Sequence, residues 1–537
     1  RVMAGLGRYV RTLLVMGWRA HIVWVVILAI VVAVTAGAIV GYYDTPEARA
    51  TYIASMGIAA ELQALTGVSG GLDQVGGIIA NELGIIVIPT LAIAGVMLAV
   101  GRTRKEEDLG RTDILTAAPV GRFVPLVSAT LTVTLSLLAS AALITAIMVA
   151  FGVPLVGAEA GSAGPPDGGA LGYGLALFAY SFFFAGIGFV AGQLADNSRT
   201  ATTIGIGVFL ISYLLRAYLI LSSSDAWWLT PVGWFDHVAP FADMNWWPIG
   251  LLVGLGLALI ALATLMHSRR DIGAGIIRGR PGPERGSRFL GTPAGLTWRL
   301  VRGPYLGWFA IALAFALVFG AQTDVWLGVL EESAAIFSDF GFGTGADALT
   351  NMTILVIAMI GGAAGIAQMG TFHREERDTR LAFLLSKPLS RTRHFGTALA
   401  MAVGSAVVLV IVAGMAYMLA ARLSAPDMFD AGPIIHTTLV YAVPAALVTA
   451  LGGFGVGALG RGPWLGWLVF GVGAAISFLG AAMRLPEWAF NLSVYDAVGA
   501  LPIEPIQWLG VAVELALTAS LLAAAVHGLR TREIVGG

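Results

Sequence analysis

A charged segment occurs twice in this 537-residue chain, and its residue types are suited to binding another protein. The copies are 104–122, RKEEDLGRTDILTAAPVGR, and 373–391, HREERDTRLAFLLSKPLSR. Aligned without a gap, they share the pattern E-E-x3-R-x3-L-x3-P-x2-R. The shared positions are Glu106 and Glu375, Glu107 and Glu376, Arg111 and Arg380, Leu115 and Leu384, Pro119 and Pro388, and Arg122 and Arg391. The constant offset predicts a unit that is present twice.

The spacing within each copy predicts a short amphipathic helix. Glu107 precedes Arg111 by four residues, as Glu376 precedes Arg380, and an ion pair in this orientation stabilises a helix by about 0.2–0.5 kcal/mol. The apolar side would be Leu109, Ile114 and Leu115 in the first copy, and Leu381, Phe383, Leu384 and Leu385 in the second. The shared proline would end this helix and begin the next. A loop that needed only positive charge would not repeat these features, so we interpret the segment as a docking surface.

No other pattern in the sequence carries a defined chemistry. Cysteine is absent, which excludes disulfides and thiolate metal sites. Neither Lys105 nor Lys387 follows a glycine, so the G-x4-G-K-[ST] phosphate loop is missing. The seven histidines are scattered, and H-E-x2-H and G-x-S-x-G do not occur. We therefore predict a chain that is not an enzyme and binds no metal or cofactor itself.

A few residues inside apolar stretches are candidates for a substrate path. Glu514 lies in the last such stretch, where a carboxylate is costly and is a functional candidate by default. The alternative is a structural role, as the partner of a basic or polar group such as Arg216. Phe182 and Phe183 would suit an apolar path, although aromatic runs in membrane helices more often face lipid or neighbouring helices.

The composition places these features in a membrane. Hydrophobic residues make up 57% of the chain and charged residues 12%, about half the charged fraction of soluble domains. A net charge of −1 gives no basic field for nucleic acid. Twelve apolar stretches reach the roughly 20 residues that cross a bilayer. They are 21–41, 83–101, 123–150, 171–193, 200–221, 247–267, 304–321, 351–370, 396–420, 434–459, 463–481 and 507–528.

The placement of basic residues predicts the orientation of these spans. With the amino terminus in the cytoplasm, 27 of the 31 basic residues lie on the inner side, which favours an N-in, C-in topology. The predicted parts are an interfacial amphipathic helix at 1–20, a six-helix half at 21–267, a cytoplasmic linker with a second interfacial helix at 268–303, a second six-helix half at 304–528 and a cytoplasmic tail at 529–537.

Further landmarks recur in the same order in both predicted halves. F-D-H-V at 235–238 precedes the sixth span, and Y-D-A-V at 495–498 precedes the twelfth. R-D-I at 270–272 follows the sixth span, and R-E-I at 532–534 follows the twelfth. Each half begins and ends inside, so the two would be parallel repeats related by an axis along the membrane normal. The predicted fold class is an all-α polytopic membrane protein with two parallel six-helix repeats.

This arrangement resembles the ABC-2 type, or type V, exporter permeases. The shared features are an amino-terminal interfacial helix, six spans, and the E-E-x3-R-x3-L-x3-P-x2-R segment between the second and third spans. The doubled chain, with F/Y-D-x-V before the last span of each half and R-D/E-I after it, is most similar to the tetronasin-type antibiotic and multidrug exporter permeases of actinobacteria, including mycobacteria. The resemblance covers nearly the whole chain and is most specific in the repeated segment.

The resemblance implies a multi-pass permease of a bacterial plasma membrane that exports hydrophobic or amphiphilic compounds such as antibiotics and drugs. In that family the segment between spans two and three contacts a separate ATP-hydrolysing subunit. Two copies of this ABC ATPase would then be the partners and would hold ATP and Mg²⁺, alongside membrane lipid and a small hydrophobic substrate, with no nucleic acid. The coupling role would fall on Glu106, Glu107, Arg111, Pro119, Arg122, Glu375, Glu376, Arg380, Pro388 and Arg391.

Two other functions remain open from the sequence. A secondary transporter with six plus six spans, driven by an ion gradient, also carries a charged loop between spans two and three. Asp108-Leu109-Gly110-Arg111 weakly matches that loop, but the glutamate pair is foreign to it. A membrane enzyme would need a polar catalytic cluster, which the sequence does not contain.

Overall fold

The chain folds as two compact units. The computed structural model describes residues 5–56, 66–67, 70–117, 120–157, 168–222, 224–271, 273–277, 286–323, 326–328, 345–377, 390–480 and 485–532. The N-terminal unit is Arg1–Gly282 and the C-terminal unit is Pro283–Gly537, so the boundary falls within the stretch 268–303. All regular secondary structure in the described ranges is helical.

The N-terminal unit contains ten α-helices in its described residues. They are α1 (Leu6–Tyr42), α2 (Pro46–Met56), α3 (Val75–Arg102), α4 (Arg104–Asp108), α5 (Arg111–Thr116), α6 (Val124–Ala150), α7 (Gly169–Leu194), α8 (Ser198–Leu221), α9 (Pro231–Asp236) and α10 (Trp247–Arg269). A short 3₁₀-helix, Asp225–Leu229, precedes α9.

Seven α-helices form the described part of the C-terminal unit. They are α11 (Pro293–Ala321), α12 (Gly345–Arg377), α13 (Arg391–Ser424), α14 (Ala431–Gly457), α15 (Trp464–Leu479), α16 (Glu487–Phe490) and α17 (Trp508–Thr531). The 3₁₀-helix Arg288–Gly291 precedes α11.

Ten helices in the described ranges are long and apolar enough to cross a membrane. They are α3 continued through α4, α6, α7, α8, α10, α11, α12, α13, α14 and α17. The first predicted span lies in α1, whose last part forms with α2 a pair bent by 110°, and the eleventh lies in α15, whose apolar part is shorter. The all-helical, multi-pass class is therefore confirmed, while the count of twelve stays a prediction.

The predicted interfacial helix at 1–20 and the first span are not separate helices. No proline occurs between residues 6 and 42, so α1 continues through both. In the same way α11 runs from Pro293 to Ala321, with Pro304 inside it. Proline is tolerated within membrane helices because neighbouring groups satisfy the freed backbone carbonyl. The interfacial position of these helix starts stays a prediction.

The second and fourth predicted spans of each half form the core of its unit. They are α3 and α7 in the N-terminal unit, and α12 and α14 in the C-terminal unit. In the most apolar stretch of α7, 83% of the residues are buried, against 17% for α10. The corresponding share is 78% for both α12 and α14 in the C-terminal unit. The peripheral helices keep leucine and valine on their outer faces, as expected of surfaces that contact lipid.

Glycine allows α3 and α7 to pack at close range. A Cβ added to Gly188 on α7 would lie 2.9 Å from the Cα and carbonyl oxygen of Val96, and 2.9 Å from the Cβ of Ala99. A Cβ at Gly95 on α3 would lie 2.4 Å from the carbonyl oxygen of Ser181. Small residues at such contacts maximise van der Waals packing between membrane helices.

This contact predicts a position-specific cost for a larger side chain. Gly188→Leu would overpack the α3–α7 contact and is expected to reduce stability by about 1–3 kcal/mol. Gly207→Leu on α8 is the matched control, since a Cβ there has no neighbour within 4 Å. Thermal unfolding of the purified chain in detergent would measure both, and equal effects at the two positions would contradict the packing argument.

Candidate functional site

The first charged segment folds as two short helices joined at Gly110. Helix α4 ends at Asp108 and α5 begins at Arg111. Gly110 has φ 68°, a left-handed conformation that glycine adopts at little cost. The prediction of one continuous helix is therefore wrong, and the i,i+4 geometry on which the Glu107–Arg111 pair depended is absent.

Arg111 instead pairs with the neighbouring glutamate. Its Nη1 lies 3.3 Å from Oε1 of Glu106, and its side chain is 46% exposed. An ion pair open to solvent on this scale contributes about 0–1 kcal/mol. This pair therefore adds little to the stability of the segment.

Glu107 forms the principal ion pair of the N-terminal unit, with an arginine far along the chain. Its Oε1 and Oε2 lie 2.5 and 2.9 Å from Nη2 and Nη1 of Arg270, the first residue after α10. Arg104 approaches the same carboxylate, with Nη1 3.0 Å from Oε2. All three side chains are at most 5% exposed. A planar guanidinium on a carboxylate in this two-pronged geometry is among the strongest and most directional polar contacts in proteins.

Both arginines also donate to backbone carbonyls, and Arg270 donates to one side-chain amide. Nε of Arg270 donates to Oε1 of Gln193 at 2.6 Å, and its Nη1 donates to the carbonyl of Ala274 at 2.9 Å. Arg104 donates to the carbonyls of Asp196 and Gly273, the latter at 2.9 Å. The segment is thereby held to the end of α7 and to the chain that follows α10.

The C-terminal unit contains the equivalent pair. Nη1 and Nη2 of Arg532 lie 2.6 and 2.7 Å from Oε1 and Oε2 of Glu376. Arg532 also donates to the carbonyls of Gly457 and Val456 at the end of α14, at 2.9 and 3.1 Å. As in the other unit, the second glutamate of the motif binds the arginine just after the last span. His373 stands where the first copy has Arg104.

The rest of the two motifs is only partly described. Pro119, Arg380, Leu384 and Pro388 lie outside the described residues, so the predicted Glu376–Arg380 pair is outside them as well. Nη2 of Arg122 donates to the carbonyl of Ser268 at 2.7 Å, which ties the start of α6 to the end of α10. Arg391 is exposed at the start of α13.

The predicted apolar face of the first copy is divided between two environments. Leu115 packs in a cluster with Tyr9, Leu13 and Val124, which joins the segment to α1 and α6. Leu109 and Ile114 are 52% and 75% exposed. The side chains of Glu106 and Glu107 are turned toward the unit. The side chains open to a partner are therefore Leu109, Ile114 and their polar neighbours.

Arg270 and Arg532 are the residues that sequence reasoning did not assign to the site. Each is the first residue of the R-D/E-I landmark that follows the last span of its half. The R-D/E-I landmark and the charged segment recur in the same order in both halves. That joint recurrence is the signal that could have linked these arginines to the glutamates of the segment. The described residues contain no group of three or more His, Asp or Glu that could hold a metal ion.

The predicted substrate-path residues have different surroundings within their own units. Arg216 binds Asp236, with Nη1 3.0 Å from Oδ2 and both side chains at most 3% exposed. Glu514 is 4% exposed, and neither of its carboxylate oxygens has a hydrogen-bond partner among the described residues. Phe182 and Phe183 are buried within the helix packing of the N-terminal unit. Their role in a substrate path stays a prediction.

The aspartates of the recurring F/Y-D-x-V landmark have different surroundings. Asp236 has the buried guanidinium described above. The Asp496 carboxylate accepts a hydrogen bond at Oδ2 from Oγ of Ser477 at 2.5 Å, and its backbone N–H donates to Oγ of Ser493. Burial raises the pKa of the Asp496 carboxyl. The same sequence landmark therefore holds an ion pair in one unit and a hydrogen-bonded carboxyl in the other.

These features define a multi-pass membrane protein with a charged segment anchored to the last span of each unit. Residues 290–530 match the family described as "Multidrug efflux system permease Rv1217c, C-terminal domain". The chain is also 28% identical over 462 residues to the "Multidrug efflux system permease protein Rv1217c" of Mycobacterium tuberculosis (strain ATCC 25618 / H37Rv). That match covers 83% of this chain and 80% of the relative.

Removal of the central glutamate is predicted to destabilise the N-terminal unit. Glu107→Gln would leave Arg270 buried without this counter-charge and Arg104 with Asp108, whose Oδ1 lies 3.4 Å from its Nε, and breaking a buried pair in this way costs about 3–5 kcal/mol. Glu106→Gln is the matched control, since its pair with Arg111 is half exposed and is worth at most about 1 kcal/mol. Equal shifts of the unfolding midpoint for the two variants would contradict this assignment.

The aspartate landmark gives a second contrast. Asp236→Asn would remove the carboxylate that is ion-paired with the buried Arg216, at a cost of about 3–5 kcal/mol. Asp496→Asn is expected to be neutral or stabilising at pH 7. A carboxyl with a raised pKa stabilises the fold below its unfolded pKa, and this contribution is lost as pH rises through the folded value. The amide keeps the uncharged form at every pH, so thermal unfolding between pH 4 and 8 would test the difference.

Proposed function

We propose that this chain is the membrane permease subunit of an ATP-driven ABC exporter, of the ABC-2 class and closest to the tetronasin-type permeases. The observation that carries the proposal is the anchoring of the charged segment in each unit. Glu107 binds Arg270 and Glu376 binds Arg532, so each segment is joined to the chain that follows the last span of its unit. The similarity to a protein named as a multidrug efflux permease supports export as the direction of transport.

The anchoring suggests how a motor protein would act on the membrane helices. A partner that contacted Leu109 and Ile114 would press on a segment whose other side is fixed by buried ion pairs. Displacement of the segment would then reach the ends of α7 and α10 through Arg270 and its bond to Gln193. In this mechanism Glu107 and Glu376 are positioning residues, and the exposed side chains make the contact.

The motor would be a separate subunit, since this sequence has no G-x4-G-K-[ST] loop for the phosphates of ATP. Two copies of an ABC ATPase would serve one chain, one for each charged segment, and ATP and Mg²⁺ would bind there. The cargo would be hydrophobic or amphiphilic, because the described membrane helices bury few charged side chains that could hold an ion. Antibiotics and drugs of that chemistry are the proposed substrates.

One observation favours a second candidate, a carrier driven by an ion gradient. Glu514 is a buried carboxylate on α17 without a hydrogen-bond partner among the described residues. Ionisable side chains within membrane helices often belong to proton relays. A single carboxylate of this kind is weaker support than two anchored segments, so we place the carrier second.

Replacing the exposed apolar side chains predicts a loss of coupling without a loss of fold. The double variant Leu109→Asp and Ile114→Asp should abolish co-purification with the ABC ATPase encoded beside this gene, and with it substrate-stimulated ATP hydrolysis. The thermal unfolding midpoint should stay unchanged, because both residues are more than half exposed. Phe289→Asp is the matched control, with a side chain of 55% exposure outside the segment.

Transport by the chain alone separates the two candidates. The exporter requires the ATPase and ATP for substrate movement in vesicles. Movement that needs only this chain and a proton gradient, and that is lost in Glu514→Gln, would overturn the exporter and establish the carrier.

A further inference from the structure

A groove in the N-terminal unit has one apolar part and one charged end. It has a volume of about 360 Å³ and lies between α1, α3 and α6. Val25, Leu28, Leu91, Leu98 and Leu137 line its apolar part. A volume near the lower end of the 300–1,000 Å³ typical of ligand sites suits a single chain of methylenes better than a drug-sized molecule.

Two serine hydroxyls on α6 also face the groove, and both are already used. Oγ of Ser136 donates to the carbonyl of Thr132 at 2.8 Å, and Oγ of Ser140 donates to the carbonyl of Ser136 at 3.0 Å. Neither hydroxyl proton therefore remains for a ligand. This wall is compatible with an apolar occupant along its length.

The charged end of the groove carries an excess of positive charge. Arg102, Lys105, Glu106 and Arg111 line it. Over these four residues, three basic side chains and one carboxylate give a net charge of about +2 beside the apolar part. The occupant that complements both parts is an amphiphile with an anionic head.

We propose that this groove binds an anionic phospholipid, with one acyl chain between α1, α3 and α6 and the headgroup phosphate at Arg102 and Lys105. All three helices carry apolar stretches in a multi-pass membrane protein, so lipid is the ligand that surrounds the groove at the highest concentration. Basic clusters at the ends of membrane helices are common binding sites for anionic headgroups. The proposal does not depend on the transport mechanism.

The C-terminal unit offers an internal comparison. At the offset of 269 residues, Thr371 stands in place of Arg102 and Arg374 in place of Lys105. Nη2 of Arg374 donates to Oγ1 of Thr371 at 2.8 Å. Ser405, the counterpart of Ser136, accepts a hydrogen bond from Nε2 of Gln368 at 2.7 Å. We therefore assign the lipid site to the N-terminal unit.

Lipid retention can test the assignment. The full-length chain would be purified from nanodiscs of equal parts phosphatidylglycerol and phosphatidylcholine, and retained lipids would be counted by native mass spectrometry. The wild type should keep one phosphatidylglycerol per chain. The double variant Arg102→Gln and Lys105→Gln should bind it about 30-fold more weakly, at about 5-fold per basic side chain.

Two further variants separate the parts of the site. Ala94→Leu would fill the apolar part and should also lose the lipid, while its thermal unfolding midpoint reports whether the fold is intact. Arg302→Gln removes an exposed basic residue within α11 and should retain the lipid. Equal retention of the two lipids, or a loss in Arg302→Gln that matches the double variant, would overturn the proposal. Loss in Ala94→Leu alone would indicate an apolar groove that selects no headgroup, and would also overturn it.

Discussion

The structure of both units depends on a glutamate that is buried with an arginine from the far end of the same unit. Two charges inside a low-dielectric region are costly to desolvate, and only a two-pronged geometry with every remaining donor satisfied repays that cost. Arg270 and Arg532 meet this requirement with side-chain and backbone acceptors at the ends of α7 and α14. A segment that would otherwise be a solvent-exposed loop is thereby made part of the helix packing.

The two units bury the glutamate of the charged segment with different numbers of charged partners. Among the described residues, Glu107 pairs with two arginines and Glu376 with one, and His373 stands at the position of Arg104. Asp236 has a buried guanidinium, while Asp496 has serine hydroxyls. Glu514 has no counterpart in the N-terminal unit, where Gly254 stands at the offset that relates Asp236 to Asp496. Sequence similarity between the halves therefore coexists with unequal electrostatics.

Much of the architecture could be predicted from sequence because it follows from apolar run length and charge placement. The sequences of the membrane-spanning helices show both the apolar runs and the flanking charges. Ten of the predicted spans coincide with helices long enough to cross a membrane. The pairing inside the charged segment could not be predicted in the same way. Local spacing favoured an ion pair between Glu107 and Arg111. Gly110 interrupts the helix between them, and Glu107 binds Arg270, 163 residues further along the chain, in a better geometry. The exposure of Leu109 and Ile114 beside a half-buried Leu115 likewise depends on the contact with α1, which the local residue spacing does not encode.

Gly110 divides the charged segment into two arms that are held in different ways. Helix α4 carries Arg104 and Glu107 and is fixed by buried ion pairs, whereas α5 packs Leu115 against the apolar cluster and has Thr112 buried. A glycine with positive φ between them is a joint that other residues occupy only with strain. In the proposed mechanism, α5 would tilt at Gly110 to follow the surface of the motor subunit while α4 keeps its register with α7 and α10. A force applied to α5 would then reach the membrane helices through α4, with small misalignments taken up at Gly110.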